Sequence, residues 1–135
     1  MTREIKFRCW YDNQMHKVQD ISFRHKTINL FGADIIKFED GILMQYTDLK
    51  DKSGVEIYEG DICVGNGHIE KDNEKFIIKY GKYKTEEWQE KYSCNTYQFG
   101  WYAEFIKSKS QVHLVIPNGI RVIGNIYEDL KESGE

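Results

Sequence analysis

The stretch MQYTDLKDKSGVEIYEGDIC, residues 44–63, places a dense group of acids between two apolar segments: Asp48, Asp51, Glu56, Glu59 and Asp61. Such a group is either a set of catalytic carboxylates or a structural corner, and the fold depends on which. General acid–base work needs carboxyls that face a pocket, in surroundings that drive their pKa values apart. Here the acids alternate with Lys50 and Lys52 in turn-forming sequence, the pattern of a solvated hairpin tip. In DKSG, Asp51 can accept hydrogen bonds from its own turn, and Gly54 can enter the left-handed region without a side-chain penalty. In EGD, Gly60 permits a sharp bend and Asp61 can hold backbone amides at the corner. Asp51, Gly54, Gly60 and Asp61 are therefore expected as structural turn residues that connect short strands, VEIY and ICV among them.

Working outward, EIKFRCW alternates Ile5, Phe7 and Cys9 with Lys6, Arg8 and Trp10, the period of a strand with one buried face. Val18, Ile21 and Phe23, then TINLF and DIIKF, continue in short β-rich runs, and Ile42, Met44 and Tyr46 share a face after the turn at Asp40-Gly41. Downstream, EKFIIKY, YQFGWYAEFIK, VHLVI and IRVIG have strand character, with turns at Asn66-Gly67 and at PNG. KTEEWQEKY is the one internal helix candidate, capped by Thr85, with Trp88 and Tyr92 four residues apart. NIYEDLKE predicts a short closing helix with Asn125 as its cap and Glu128 three residues later. The expectation is a mainly β single domain. Residues 1–47 form an N-terminal β-meander, packed on an SH3-like small barrel portion and a C-terminal short helix over residues 48–130.

Composition narrows the function classes. The chain has 135 residues, 19 basic and 22 acidic side chains and a formal charge of -3, so bulk charge demands neither a polyanionic partner nor a basic substrate. No apolar run approaches the roughly 20 residues of a membrane span, and Met1 to Arg8 lack a signal-peptide core, so a cytoplasmic protein without a membrane partner is expected. Cys9, Cys63 and Cys94 form no C-x-x-C pair and suit buried free thiols. A single proline, Pro117, and a 14% aromatic share favour many short strands over disorder.

Specific chemistry is poorly supplied. Cys63, His68 and Cys94 lack the tight ligand pairs that zinc sites use, so no metal is expected. There is no G-x-S-x-G elbow to present a nucleophile, and GNG lacks the Lys-Ser/Thr of a phosphate loop, so neither catalytic residue nor cofactor is assigned. The richest feature is the crowd of aromatics between Tyr80 and Phe105, interleaved with lysines. Tyr83, Trp88, Tyr92, Tyr97, Trp101 and Tyr102, with Lys82 and Lys84, make a candidate binding surface for a protein or for stacked bases. The ordinary alternative is that Phe99, Trp101 and Phe105 fill the core while the tyrosines cover its rim.

Three motifs in order resemble one family. REIKFRCW followed by MHKV, the quoted central stretch, and VIGNIYED are similar to the N-terminal, central and C-terminal signatures of YopX-type proteins. The resemblance spans essentially the whole chain, with residues 66–111 the least motif-like. It implies a mostly β protein with an SH3-like barrel element, encoded mainly by phages and prophages of Gram-positive bacteria, and it carries no catalytic or binding residue onto any position here. Cys9 stands where that pattern usually has a small apolar residue, and the aromatic segment reads as an elaboration within the family.

The expected function is therefore a non-enzymatic accessory protein that binds a host or phage protein. Nucleic-acid or nucleotide binding through the aromatic and lysine surface is the alternative, and self-association through exposed strand edges is compatible with both.

Overall fold

A computed structural model describes residues 3–32, 34–65, 75–89, 92–113 and 120–128, with side chains described outside 85–96 and 113. The chain is mainly β, in two antiparallel sheets. The first has the order β4-β3-β2-β1-β5-β6, from β1 (Phe7–Tyr11), β2 (Gln14–Ser22), β3 (Thr27–Leu30), β4 (Ile35–Lys37), β5 (Ile42–Lys50) and β6 (Glu56–Tyr58). The second has the order β10-β9-β8-β7-β11, from β7 (Asp61–Gly65), β8 (Lys75–Gln89), β9 (Tyr92–Phe105), β10 (Gln111–His113) and β11 (Ile120–Asn125).

Among the described residues neither sheet closes on itself, so the barrel expected from residue 48 onward is replaced by two open sheets. The change of sheet falls at the EGD corner. β5 runs through Lys50 and β6 still pairs with it in the first sheet, and only Asp61 begins the second. Gly60 makes the transition at φ +87, donating its N–H to Ile78 O at 2.8 Å and accepting from Ile126 N at 3.1 Å. One corner glycine thereby ties both sheets to the C-terminal helical turn.

The second correction concerns KTEEWQEKY. It is not helical: residues 84–89 continue β8 and pair with residues 92–97 of β9, ending with Gln89 opposite Tyr92. Helix propensity over so short a span is worth little against an uninterrupted antiparallel ladder on both sides. The hairpin proposed at Asn66-Gly67 and the PNG turn lie outside the described residues. The closing helix is seen in its first turn, residues 126–128, where Asn125 Oδ1 accepts from Tyr127 N at 3.1 Å and Glu128 N at 2.9 Å. That arrangement satisfies amides that a helix start leaves without partners.

Two apolar clusters hold the sheets. In the first sheet Cys9, Ile28, Leu30 and Ile36 are buried together, with Tyr11, Val18, Phe38 and Leu43 against them. The second cluster joins Cys63, Phe76, Ile78, Ala103 and Ile120 to Ile57 of β6, with Leu49, Trp101, Phe105 and Val122 at its border. Because Ile57 and Leu49 belong to the first sheet, this cluster spans the junction. It anchors the inner ends of β8 and β9.

Candidate interaction surface

The five central acids do not converge on one pocket. Asp48 takes φ +67 in an irregularity of β5, where Thr47 Oγ1 donates to Ile57 O at 2.7 Å and accepts from Leu49 N. Glu56 pairs with Lys6, and Glu59 faces an inter-sheet crevice of about 270 Å³.

Asp51 is buried, and its carboxylate closes the DKSG turn by accepting from Ser53 N and Val55 N at 2.8 and 2.9 Å. Its second oxygen accepts from Val122 N at 3.0 Å, stapling the turn to β11. Burial works against the charge, but the amides of Val122, Val55, Ser53 and Gly54 outweigh it and hold the carboxyl below its usual range. Gly54, at φ +86, completes the turn. Asp61, only 2% exposed, accepts from Tyr58 N at 2.8 Å and from Arg8 Nη2 at 2.7 Å. Burial pushes its carboxyl above the usual range, with Arg8 and the Tyr58 amide opposing. Arg8 also lies over the Tyr58 ring and donates to Glu59 O, so β1 is clamped to the corner. Asp51 and Gly54 thus sit in the DKSG turn and Gly60 and Asp61 at the EGD corner, with both carboxylates engaged by backbone amides or by Arg8.

The crevice runs between the sheets, walled by Ile42, Leu43 and Met44 of β5, Ile77 to Tyr80 of β8, Tyr102, Ile126 and Tyr127. Its charged groups, Glu59 and Lys79, carry opposite signs, and Lys79 is already bound to Glu104 at 2.6 Å. Among the described residues no three metal-binding side chains cluster. Cys63 is buried, and the His68 and Cys94 side chains lie outside the described set.

The β8–β9 hairpin sorts the aromatic candidates by register. Tyr80 pairs with Trp101, Lys82 with Phe99 and Lys84 with Tyr97, so these six side chains share one face. Near the core that face is Phe76, Ile78, Ala103 and Phe105, so the outer residues continue the same stripe beyond its covering. Phe99 is 79% exposed and Tyr80 and Tyr97 are each 58% exposed, while Trp101 is half-buried with Tyr80 edge-on to it at 4.9 Å. Lys82 Nζ lies 4.5 Å from the Tyr97 ring centre.

The opposite face carries Lys79, Gly81 and Tyr83 against Tyr102, Gly100 and Gln98. Tyr83 and Tyr102 are buried and stacked at 5.0 Å, which removes both from the expected binding surface. Phe99 departs from expectation in the other direction, since it is not core. The backbone of Trp88 and Tyr92 lies in the distal strands, and their side chains are outside the described set.

The facing glycines explain how Tyr83 reaches Tyr102. Gly81 and Gly100 form one rung at φ +142 and +148, backbone that other residues rarely adopt. Seven residues of straight strand from Ile77 would carry Lys84 about 23 Å away. Instead Lys84 N donates to Gln111 Oε1 at 2.9 Å, on the residue that pairs with Glu104, itself opposite Ile77. The hairpin therefore curls back over β10 at the glycine rung, burying Tyr83 on its inner side and turning the Tyr97, Phe99 and Lys82 face outward. Sequence reasoning missed this rung. The signal was two glycines in segments that otherwise read as strand.

The fold and surface define a mainly β protein of two open sheets with a bent aromatic hairpin extending from the second. The chain belongs to the YopX family: the model described as "YopX protein" matches residues 6–131, nearly all of it. No curated protein matches. Among solved structures, that titled "Crystal structure of protein EF1440 from Enterococcus faecalis" is similar at 22% identity over 97% of this chain and 99% of that one, with a TM-score of 0.49.

Proposed function

We propose that this chain is a non-catalytic binding module, encoded by a phage or prophage, that acts on a host or phage protein in the bacterial cytoplasm. One observation carries the reading: an apolar stripe continues from the core onto the outer hairpin face, leaving Phe99, Tyr97 and Tyr80 in solvent. Exposed contiguous aromatics are costly to maintain in water and are enriched at protein interfaces, with tyrosine and tryptophan foremost. The turn roles of Asp51 and Asp61 fit the same reading, because they commit the central acids to backbone.

The test is a photo-crosslinking residue placed at Phe99 and expressed in the bacterial host, with Phe23, another exposed aromatic in the turn between β2 and β3, as control. A discrete protein adduct from position 99, absent from position 23 and competed by the unlabelled protein, is the expected result. Equal adducts from both positions would remove the reading.

Lys82 over the Tyr97 ring favours a second reading, single-stranded nucleic acid stacked on the aromatics. It requires salt-dependent binding of an oligonucleotide that is lost in Phe99→Ser. Lys79 does not serve it, being held by Glu104 on the other face.

A further inference from the structure

The geometry points to a second binding site, the inter-sheet crevice, whose ligand is a small organic cation: an ammonium group on a short aliphatic or single-ring body. The crevice encloses about 270 Å³ between β5 and β8, with Glu59, Tyr102 and Tyr127 in its wall. Of the six outer-face residues of the hairpin only Tyr80 lines it, so this site stands apart from the protein-binding reading above. Ordinary ligand pockets run from roughly 300 to 1,000 Å³, so the body of the ligand is limited to one ring or a short chain.

The walls are held in place by groups outside the crevice. Tyr127 is stacked on Trp10 at 5.9 Å and Tyr102 on Tyr83 at 5.0 Å, and neither supporting ring belongs to the lining. Met44 and Ile78, 2% and 0% exposed, supply apolar surface. A Cβ on Gly60 would lie 3.2 Å from Met44 Sδ and 3.7 Å from Tyr127 Cε2, so the glycine leaves space between those two side chains that another residue would take. A site whose walls are fixed before binding spends little of its affinity on ordering them.

The groups present in the wall give the sign of the ligand. Glu59 is half-buried there, and its charge reaches the neighbouring ring: burial first, and then Glu59, push the Tyr127 hydroxyl up, with Arg8 opposing. The two cations near this carboxylate are committed to other acids, Arg8 to Asp61 at 2.7 Å and Lys79 to Glu104 at 2.6 Å. An ammonium group meets a carboxylate on one side and the faces of tyrosine rings on the other, and both attract it more strongly where water is scarce. An anion would meet Glu59 while Lys79, the cation of the wall, is held by Glu104. A neutral apolar molecule would strip water from Glu59 and offer it nothing in return.

The test is titration of the isotope-labelled full chain with phenethylammonium and tetramethylammonium, and with 2-phenylethanol and 3-phenylpropionate as neutral and anionic counterparts, followed through backbone amide shifts. The expected result is saturable shifts at Glu59, Gly60 and Tyr127 with both cations, binding about tenfold or more weaker for the alcohol and the acid, and a loss of about the same size in Glu59→Gln. Glu59 forms no ion pair among the described residues, so that variant should keep the wild-type denaturation midpoint, which is measured alongside. Tyr97→Ser/Phe99→Ser should bind the cations as the wild type does, which separates this outcome from that of crosslinking at position 99. An alcohol that binds as tightly as the amine, an acid that binds more tightly, cation binding unchanged in Glu59→Gln, or no saturable shift at these amides with any probe overturns the inference. Cation binding that emerges only in Lys131→Gln overturns it as well, since the chain would then supply its own ammonium group to Glu59.

Discussion

Gly81 and Gly100 face each other across the β8–β9 hairpin, both at positive φ, and at that rung the hairpin turns back on itself. Space does not require them, since a Cβ at either position would meet nothing within 4 Å. Backbone conformation does. Substitution by alanine should therefore cost on the order of 1–3 kcal/mol per position through strain, or the hairpin will straighten to escape it. Straightening separates Tyr83 from Tyr102, so Gly81→Ala/Gly100→Ala should increase the hydrogen exchange of the Lys84 amide, now held by Gln111. Unchanged protection there, together with unchanged stability, would remove the glycine rung as the cause of the bend.

Asp51 gives a prediction with a definite pH sign. Its folded pKa lies below the usual value, so its stabilising contribution is fully present above about pH 4 and is lost as pH falls through the folded-state value. In Asp51→Asn the amide group cannot accept from both Val122 and the turn amides, leaving a buried N–H unpaired at a cost of about 1–3 kcal/mol. Urea denaturation should show that deficit at pH 7 and a narrower one in acid below the lowered folded-state value, where the wild-type carboxyl protonates. A deficit of equal size at both would mean that shape, not charge, matters at this site.

Arg8 and Asp61 are separated by 53 positions and meet at 2.7 Å, with Asp61 almost wholly buried. Arg8→Met leaves a buried carboxylate without its cation, and breaking such a pair typically costs about 3–5 kcal/mol. Asp61 already titrates above its usual value, and loss of Arg8 drives it further up. A raised folded pKa favours the folded state at low pH and loses that advantage as pH rises. The Arg8→Met deficit should accordingly be largest at neutral pH and shrink as pH falls through the raised folded-state values, which lie above about pH 4. Arg8→Met/Asp61→Asn should recover part of the stability, which a double-mutant cycle measures.

The thiols should be inert in the folded protein. Cys63 has no solvent exposure, and burial together with the charges of Asp61 and Asp51 pushes its pKa up to about 12. Cys9 is equally buried and raised by the same desolvation. In a Cys94→Ser background iodoacetamide should label neither residue at pH 8 in native conditions, and both once the chain is unfolded in urea. Rapid native labelling of either would contradict the packing of its cluster.

Local chemistry was legible where it depends on a few adjacent residues. The DKSG and EGD turns, the Asn125 cap and most strands follow from side chains that reach backbone only a few positions away, or from an alternation of period two. Thr85 to Tyr92 was misread by the same kind of evidence, since a helix cap and an i,i+4 aromatic pair compete poorly with a full partner strand that no local pattern reveals. The division into two open sheets was likewise invisible, because VEIY pairs backward onto β5 while ICV pairs forward onto β8 and β11, a choice made by distant strands.

The candidate surface divides along the same line. Its composition, aromatics interleaved with lysines, stands in the sequence alone and is the reason these residues were singled out. Which of them face solvent is a matter of register: shifting the pairing by one residue would exchange Phe99 and Tyr97 for Tyr102 and Gln98. Sequence by itself determined the family, the mainly β character and the turn roles of Asp51, Gly54, Gly60 and Asp61, since each rests on short-range backbone chemistry. Only the tertiary structure decided that Tyr83 and Tyr102 are buried, that Phe99 is not, and that Arg8 neutralises Asp61. These depend on strand pairing and burial between residues far apart in the chain, whose free energy exists only once the sheets have formed.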